Sequence, residues 1–235
     1  MASFERRGQG LPGRATMTMD SLDSDYEEGK GDLEYIFKYI EQTDYGRLQS
    51  ALQIQRRQHD VAKVFDREHG YTPLMFAAYK NSEEACKILI DFFLSEDYVH
   101  HTSRPNSTAR KLALAEWLDT RSAGEEGFTA LHFASFHGSM PIARLLCDHG
   151  ASLNVINAQG INLLHVAAQG DQPVSIAFFT SKGLDINSVD RKRSTALHWA
   201  AYSGTDLTLN YLLAWGANLE QKDGKGMTPL HIAVR

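Results

Sequence analysis

Cysteine is almost absent from this chain: Cys86 and Cys147 are the only two among 235 residues, and no Cys-x-x-Cys pair occurs. That excludes a disulfide framework and a thiolate zinc centre, and it fits a reducing, cytosolic setting. No apolar run approaches the ~18 residues of a membrane-spanning helix. The first twenty residues, "MASFERRGQGLPGRATMTMD", lack the continuous apolar core of a signal peptide. An excess of positive charge is missing too. The net charge is −5, which argues against nucleic acid as a partner and for a chain with no membrane contact of its own. Also missing are His-Glu-x-x-His, a phosphate-binding loop, a nucleophile elbow and paired carboxylates, so no catalytic residue, metal ligand or cofactor is expected. "GQGLPG", Gly8 to Gly13, has the form GxGxxG but is followed by no predicted helix, and is read as accidental.

What is present is a period. Gly127, Gly160 and Gly226 fall on steps of 33 residues, with Arg193 on the missing rung. His132, His165, His198 and His231 repeat with the same step, as do Leu131, Leu164, Leu197 and Leu230, and Gly150, Gly183 and Gly216. In register the segments read "GFTALHFASFHG", "GINLLHVAAQGD", "RSTALHWAAYSG" and "GMTPLHIAVR", with "GYTPLMFAAYKN" at Gly70 as an earlier member. This resembles the ankyrin repeat, a 33-residue unit carrying T-P-L-H-x-A. The resemblance implies an all-α repeat solenoid with short β-hairpin loops.

Local chemistry agrees with paired helices. Thr72, Thr129, Thr195 and Thr228 stand where a hydroxyl caps a helix, and proline after such a cap costs no hydrogen bond. Ala134, Ala167, Ala200 and Ala233 allow first helices to approach, while Leu145/Leu146, Phe178/Phe179 and Leu212/Leu213 predict the apolar face of the second. Gly150, Gly183 and Gly216 predict left-handed helix ends, and Asn157, Asp190 and Asp223 predict the start of each connecting turn. The repeated histidines read as structural groups and both cysteines as buried, inert thiols.

The period divides the chain into an N-terminal arm (1–31), expected to be disordered, and a repeat domain (32–235). Within the latter come a divergent capping repeat (32–66), a repeat carrying an insertion (67–123), repeats 124–156, 157–189 and 190–222, and a partial repeat 223–235. Phe93 stands at the position of a helix-ending glycine, so that helix is expected to run on into "LSEDYVHHTSRPNST". Ser107 or Thr108 is then expected to cap a helix over 109–121, with Leu114, Trp117, Leu118 and Arg121 on one face. That face either packs on the stack or docks a partner. Arg193, at a glycine position, predicts local strain. The loop tips differ in charge, with Glu125 and Glu126 on one and Arg191, Lys192 and Arg193 on another. They read as solvated loops or as a charge-graded rim that orients a partner. The last unit has one predicted helix where its predecessors have two, so a longer parent protein is expected.

The run from "LLHVAAQGD" through "STALHWAAYSG" resembles the cytosolic ankyrin domain of DHHC-type protein S-acyltransferases, in which an "HVAAQ" unit precedes an "HWAAY" unit. The likeness covers residues 160–235. It implies a module that recruits substrate proteins for palmitoyl transfer by a separate, membrane-embedded catalytic domain, whose Asp-His-His-Cys tetrad this chain does not contain. It also implies a location at the cytosolic face of an internal membrane. A free-standing ankyrin adaptor or scaffold is the alternative, and a regulatory segment of a channel or kinase a third. In the family, loop tips and outward first-helix positions line a concave binding face. Here that face is expected to receive Tyr71, Tyr79, Phe128, Phe136, His137, Gln169, Tyr202, Arg191 and Lys192, with Trp199 either in the groove or in the core. Its expected occupant is a protein or an unstructured peptide.

Overall fold

The loops that separate the repeats are closed by one device. Asn157 Oδ1 accepts the backbone N–H groups of Gln159 and Ile161, both at 2.9 Å. Asp190 does the same for Lys192 and Ser194, and Asp223 for Lys225 and Met227, all at 2.8 Å. Asp66 closes the first loop onto His69 and Tyr71. The loop before Phe128 has Gly124 where the others have an Asp or Asn, and Ser122 substitutes for it, its Oγ accepting from Phe128 at 3.0 Å. The turns need a residue at positive φ, which Gly70, Gly127, Gly160 and Gly226 provide at 67–77° and Arg193 at 62°. The expected hairpins are tight turns: an isolated antiparallel bridge joins Val189 to Thr195, and no sheet forms among the described residues.

The computed structural model describes residues 33–55, 61, 64–95 and 107–234. The predicted arm, 1–31, lies outside them, as does most of the run 96–108. Twelve helices are present among the described residues: α1 (Glu34–Glu41), α2 (Tyr45–Gln55), α3 (Pro73–Tyr79), α4 (Glu83–Leu94), α5 (Ser107–Leu118), α6 (Ala130–His137), α7 (Met140–Asp148), α8 (Leu163–Gln169), α9 (Pro173–Ser181), α10 (Ala196–Ser203), α11 (Asp206–Ala214) and α12 (Pro229–Ala233). Thr72, Thr129, Thr195 and Thr228 do stand at helix N-caps. In the fourth unit the cap is Asn162, whose Oδ1 accepts from Leu164 and His165 at 3.0 and 3.1 Å.

First helices stack directly on one another in the order α1, α3, α6, α8, α10, α12. Ala134, Ala167 and Ala200 are fully buried at these contacts, where a larger side chain would force the helices apart. Ala233 is exposed. In the second helices only one residue of each predicted pair is fully buried, namely Leu146, Phe179 and Leu212. Leu145 and Phe178 are half-buried and Leu213 is exposed, because a helix packed on one side buries a single stripe. Cys86 is fully buried in α4, whereas Cys147 is only half-buried, which corrects its expected core placement.

The insertion is only partly as the periodicity predicts. Helix α4 continues three residues past Asp91, where its counterparts stop, and ends at Leu94 with Ser95 as its C-cap. Helix α5 begins at Ser107, and the expected cap at Ser107 or Thr108 lies outside the described side chains. The helix also ends earlier than expected, at Leu118, which leaves Arg121 exposed in the following loop. The face Leu114, Trp117 and Leu118 is buried, and the Trp117 ring stacks flat on Phe93 with centroids 4.7 Å apart and planes 3° off parallel. Asp119 Oδ1 accepts from Ser152 at 2.9 Å, which ties the end of α5 to the next repeat. The inserted helix packs on the stack.

Candidate interaction face

The histidines of the period have one structural task. The backbone N–H of the N-cap residue donates to histidine Nδ1, from Thr129, Asn162, Thr195 and Thr228 at 3.2, 3.1, 3.1 and 3.3 Å. Nδ1 is therefore the acceptor and Nε2 carries the proton. His132, His165 and His198 donate that proton to the carbonyls of Ile161, Ser194 and Met227 in the next unit, at 3.3, 3.0 and 3.1 Å. Burial, opposed by the hydrogen bond to Ile161 and helped by the charge of Arg121, pushes His132 down to about 4, so it stays neutral at physiological pH. Burial also lowers His165, against the opposing pull of Asp190. Among the described residues no group of three or more His, Cys, Asp or Glu is placed to hold a metal. None of the described helices is long and apolar enough to cross a membrane.

The loop tips are joined in a row by backbone bonds. Ala158 donates to the Glu126 carbonyl at 2.8 Å, Arg191 to that of Gln159 at 3.0 Å, and Gly224 to that of Lys192 at 2.7 Å. These bonds link consecutive tips into a continuous rim.

The predicted face residues fall into three sets. Tyr71 and Phe128 are buried, which removes them as contact surface. Each follows the positive-φ glycine of its loop, where the chain turns inward. The Tyr71 ring packs 4.7 Å from Phe133 and Phe128 5.5 Å from His132. At the N-terminal end, Tyr79, Phe136 and His137 are half-buried and adjoin, with Tyr79 and His137 rings 6.2 Å apart and Phe136 and His137 5.2 Å apart. Lys80 lies over Phe76 and Tyr79 and pairs with Glu41 at 2.6 Å. Toward the C-terminal end, Gln169 and Trp199 are half-buried on the stacked helices α8 and α10, Tyr202 is 60% exposed, and Arg191 and Lys192 are exposed. Trp199 is neither pure core nor free: its Nε1 donates to Asp190 Oδ2 at 3.1 Å, which fixes the ring between the basic tip and α10.

Sequence reasoning missed two features here. Asp190 does double duty, closing its turn with Oδ1 and orienting Trp199 with Oδ2; aspartate nine residues before tryptophan was the available signal. The second is a ridge on α11, where Leu207 and Trp215 are exposed and Tyr211 stacks on Trp215 at 5.4 Å. Its i, i+4, i+8 spacing is legible in the sequence, beside the adjacent Leu212/Leu213 pair expected on the apolar face.

Comparison with known proteins places these observations. Residues 33% identical over 65 positions link the chain to the Notch-regulated ankyrin repeat-containing protein A of Danio rerio and to its Homo sapiens counterpart. That stretch is 28% of this chain and spans 58% and 57% of those proteins. A 49-residue stretch, 21% of this chain, is 39% identical to palmitoyltransferase akr1 of Schizosaccharomyces pombe and covers 8% of that protein. The pattern of ankyrin repeats matches three times, over residues 43–157, 99–190 and 164–235. Ankyrin repeats are protein–protein interaction modules, built as this stack is from helix pairs and turns. The chain belongs to the ankyrin-repeat family.

Proposed function

We propose that this chain recruits substrate proteins for a protein S-palmitoyltransferase, holding an extended segment of the substrate along the loop tips and first helices. The observation that carries the reading is the packing of α8 on α10, which carry Gln169 and, 33 residues on, Tyr202, with Trp199 of α10 bonded to Asp190 in the basic tip. A polar amide and two aromatic rings, one held by a carboxylate, offer backbone hydrogen bonding and apolar contact side by side. These residues belong to the "HVAAQ" and "HWAAY" units through which the chain resembles the acyltransferases, and the similarity to palmitoyltransferase akr1 supports the same reading.

The catalytic residues of such an enzyme would lie in another domain. The test is twofold. The coding sequence after Arg235 is expected to continue in frame into apolar spans and an Asp-His-His-Cys segment. Proteins captured by the native chain are expected to carry hydroxylamine-sensitive acyl groups, and a Gln169→Ala, Tyr202→Ala variant is expected to lose them. A reading frame without that segment, with captured proteins free of acyl groups, overturns it. The second reading is a free-standing ankyrin adaptor or scaffold, with which the similarity to the Notch-regulated ankyrin repeat-containing proteins is compatible.

A further inference from the structure

Four consecutive tips of the rim, those after the first loop at 66–70, carry a charge sequence. With histidine neutral, residues 124–127 hold −2, 157–160 are uncharged, 190–193 hold +2, and 223–226 are neutral again. Nearby groups modify this without cancelling it. Arg121 lies beside Gly127 and offsets part of the acidic tip. Asp190 is buried and occupied by the Lys192 and Ser194 amides and by Trp199, so the cations of its tip project outward while its carboxylate does not. Glu125, Arg191, Lys192 and Arg193 are all exposed.

Arg193 adds charge to the basic tip. At its position the other turns have Gly70, Gly127, Gly160 and Gly226, yet Arg193 is held at a φ of 62°. Here the residue that replaces glycine is a third cation on the same tip.

Building on the proposed face, we infer that its occupant is a bipolar extended segment. A cationic side chain sits over Glu125 and Glu126, an acidic one over Arg191 and Arg193, and uncharged residues cross the tip at Gln159 and the helices bearing Gln169 and Tyr202. Stacked helices stand about 8–10 Å apart, so the two charged tips, two repeats apart, are separated by roughly 20 Å. An extended chain rises about 3.3 Å per residue, which puts the two charges about six residues apart. With the backbone direction fixed by main-chain hydrogen bonds along the face, complementary charge of this kind excludes a segment whose end charges are exchanged.

The probes are two fluorescent heptapeptides of identical composition, KVTVTVE and EVTVTVK, titrated into the native chain at low salt. One is expected to bind at least fivefold more tightly, and the preference to collapse at high salt. In the variant Glu125→Lys, Glu126→Lys, Arg191→Glu, Arg193→Glu the preference is expected to invert. The single change Arg191→Glu, at an exposed position, is expected to reduce it without a folding penalty. Equal affinity for both peptides in both proteins, or binding of neither, overturns the bipolar assignment. Equal affinities that both fall in Gln169→Ala, Tyr202→Ala would refute the polarity and leave the face intact. A preference that inverts with the charge swap but ignores those two changes supports recognition by the tips and removes the helices from the site.

Discussion

His198 donates its Nε2 proton to the carbonyl of Met227 at 3.1 Å, reaching from one repeat to the residue just before the helix cap of the next. His132 and His165 repeat the contact to Ile161 and Ser194. The period seen in the sequence is thus a column of inter-repeat hydrogen bonds, and each requires a neutral imidazole whose Nδ1 is free to accept.

Acid should therefore weaken the stack. Because His132 is pushed down to about 4 in the fold, from an ordinary value near 6.5, the unfolded chain binds a proton that the folded chain refuses between those values. Its contribution is complete above about pH 6.5 and is lost as pH falls toward 4, up to roughly 3 kcal/mol for this residue. Urea midpoints measured from pH 7.5 down to 5 should fall, and His132→Gln should flatten the slope. A native profile that is flat over that range would contradict the neutral column.

Replacing Arg193 by glycine should stabilise the chain by about 1 kcal/mol, since glycine adopts positive φ without a Cβ clash. Arg193→Val should do the reverse. Thermal melts of the two variants check the sign, and a melting point unchanged in both would mean the turn relaxes away from this conformation.

Trp117 is 6% exposed and stacked on Phe93, whereas Leu112 in the same helix is 63% exposed. Trp117→Ala is expected to cost about 3–5 kcal/mol, and Leu112→Ala under about 0.5 kcal/mol. Denaturant unfolding of both separates packing from partner docking: a stable Trp117→Ala chain that loses binding would assign α5 to the partner.

Burial pushes both thiols up, Cys86 the more strongly. At pH 7.5 the native chain should take up maleimide slowly at Cys147 and not at Cys86, and at both sites in urea. Rapid labelling of Cys86 without denaturant would show that α4 opens.

Much of this was legible because an ankyrin unit repeats its own solution. A cap, a histidine, an alanine and a glycine at fixed steps located the helices, turns and the structural histidines. Tyr71 and Phe128 were misplaced outward because residue type and spacing do not report that the chain turns inward after the positive-φ glycine. The limits of α4 and α5 escaped the period because the insertion interrupts it. Trp199 stayed open between groove and core until the bond to Asp190, a contact across a turn, decided its orientation.

The central claim is that the face bearing Gln169 and Tyr202 holds an extended partner segment. Its most direct test is titration calorimetry with peptides selected from a random phage-displayed library against the native chain. Gln169→Ala with Tyr202→Ala should weaken the selected peptides by about 1–3 kcal/mol at unchanged melting temperature. Full affinity in that double variant, with loss on Leu207→Ser and Trp215→Ser, would contradict the account and move the site to the ridge on α11.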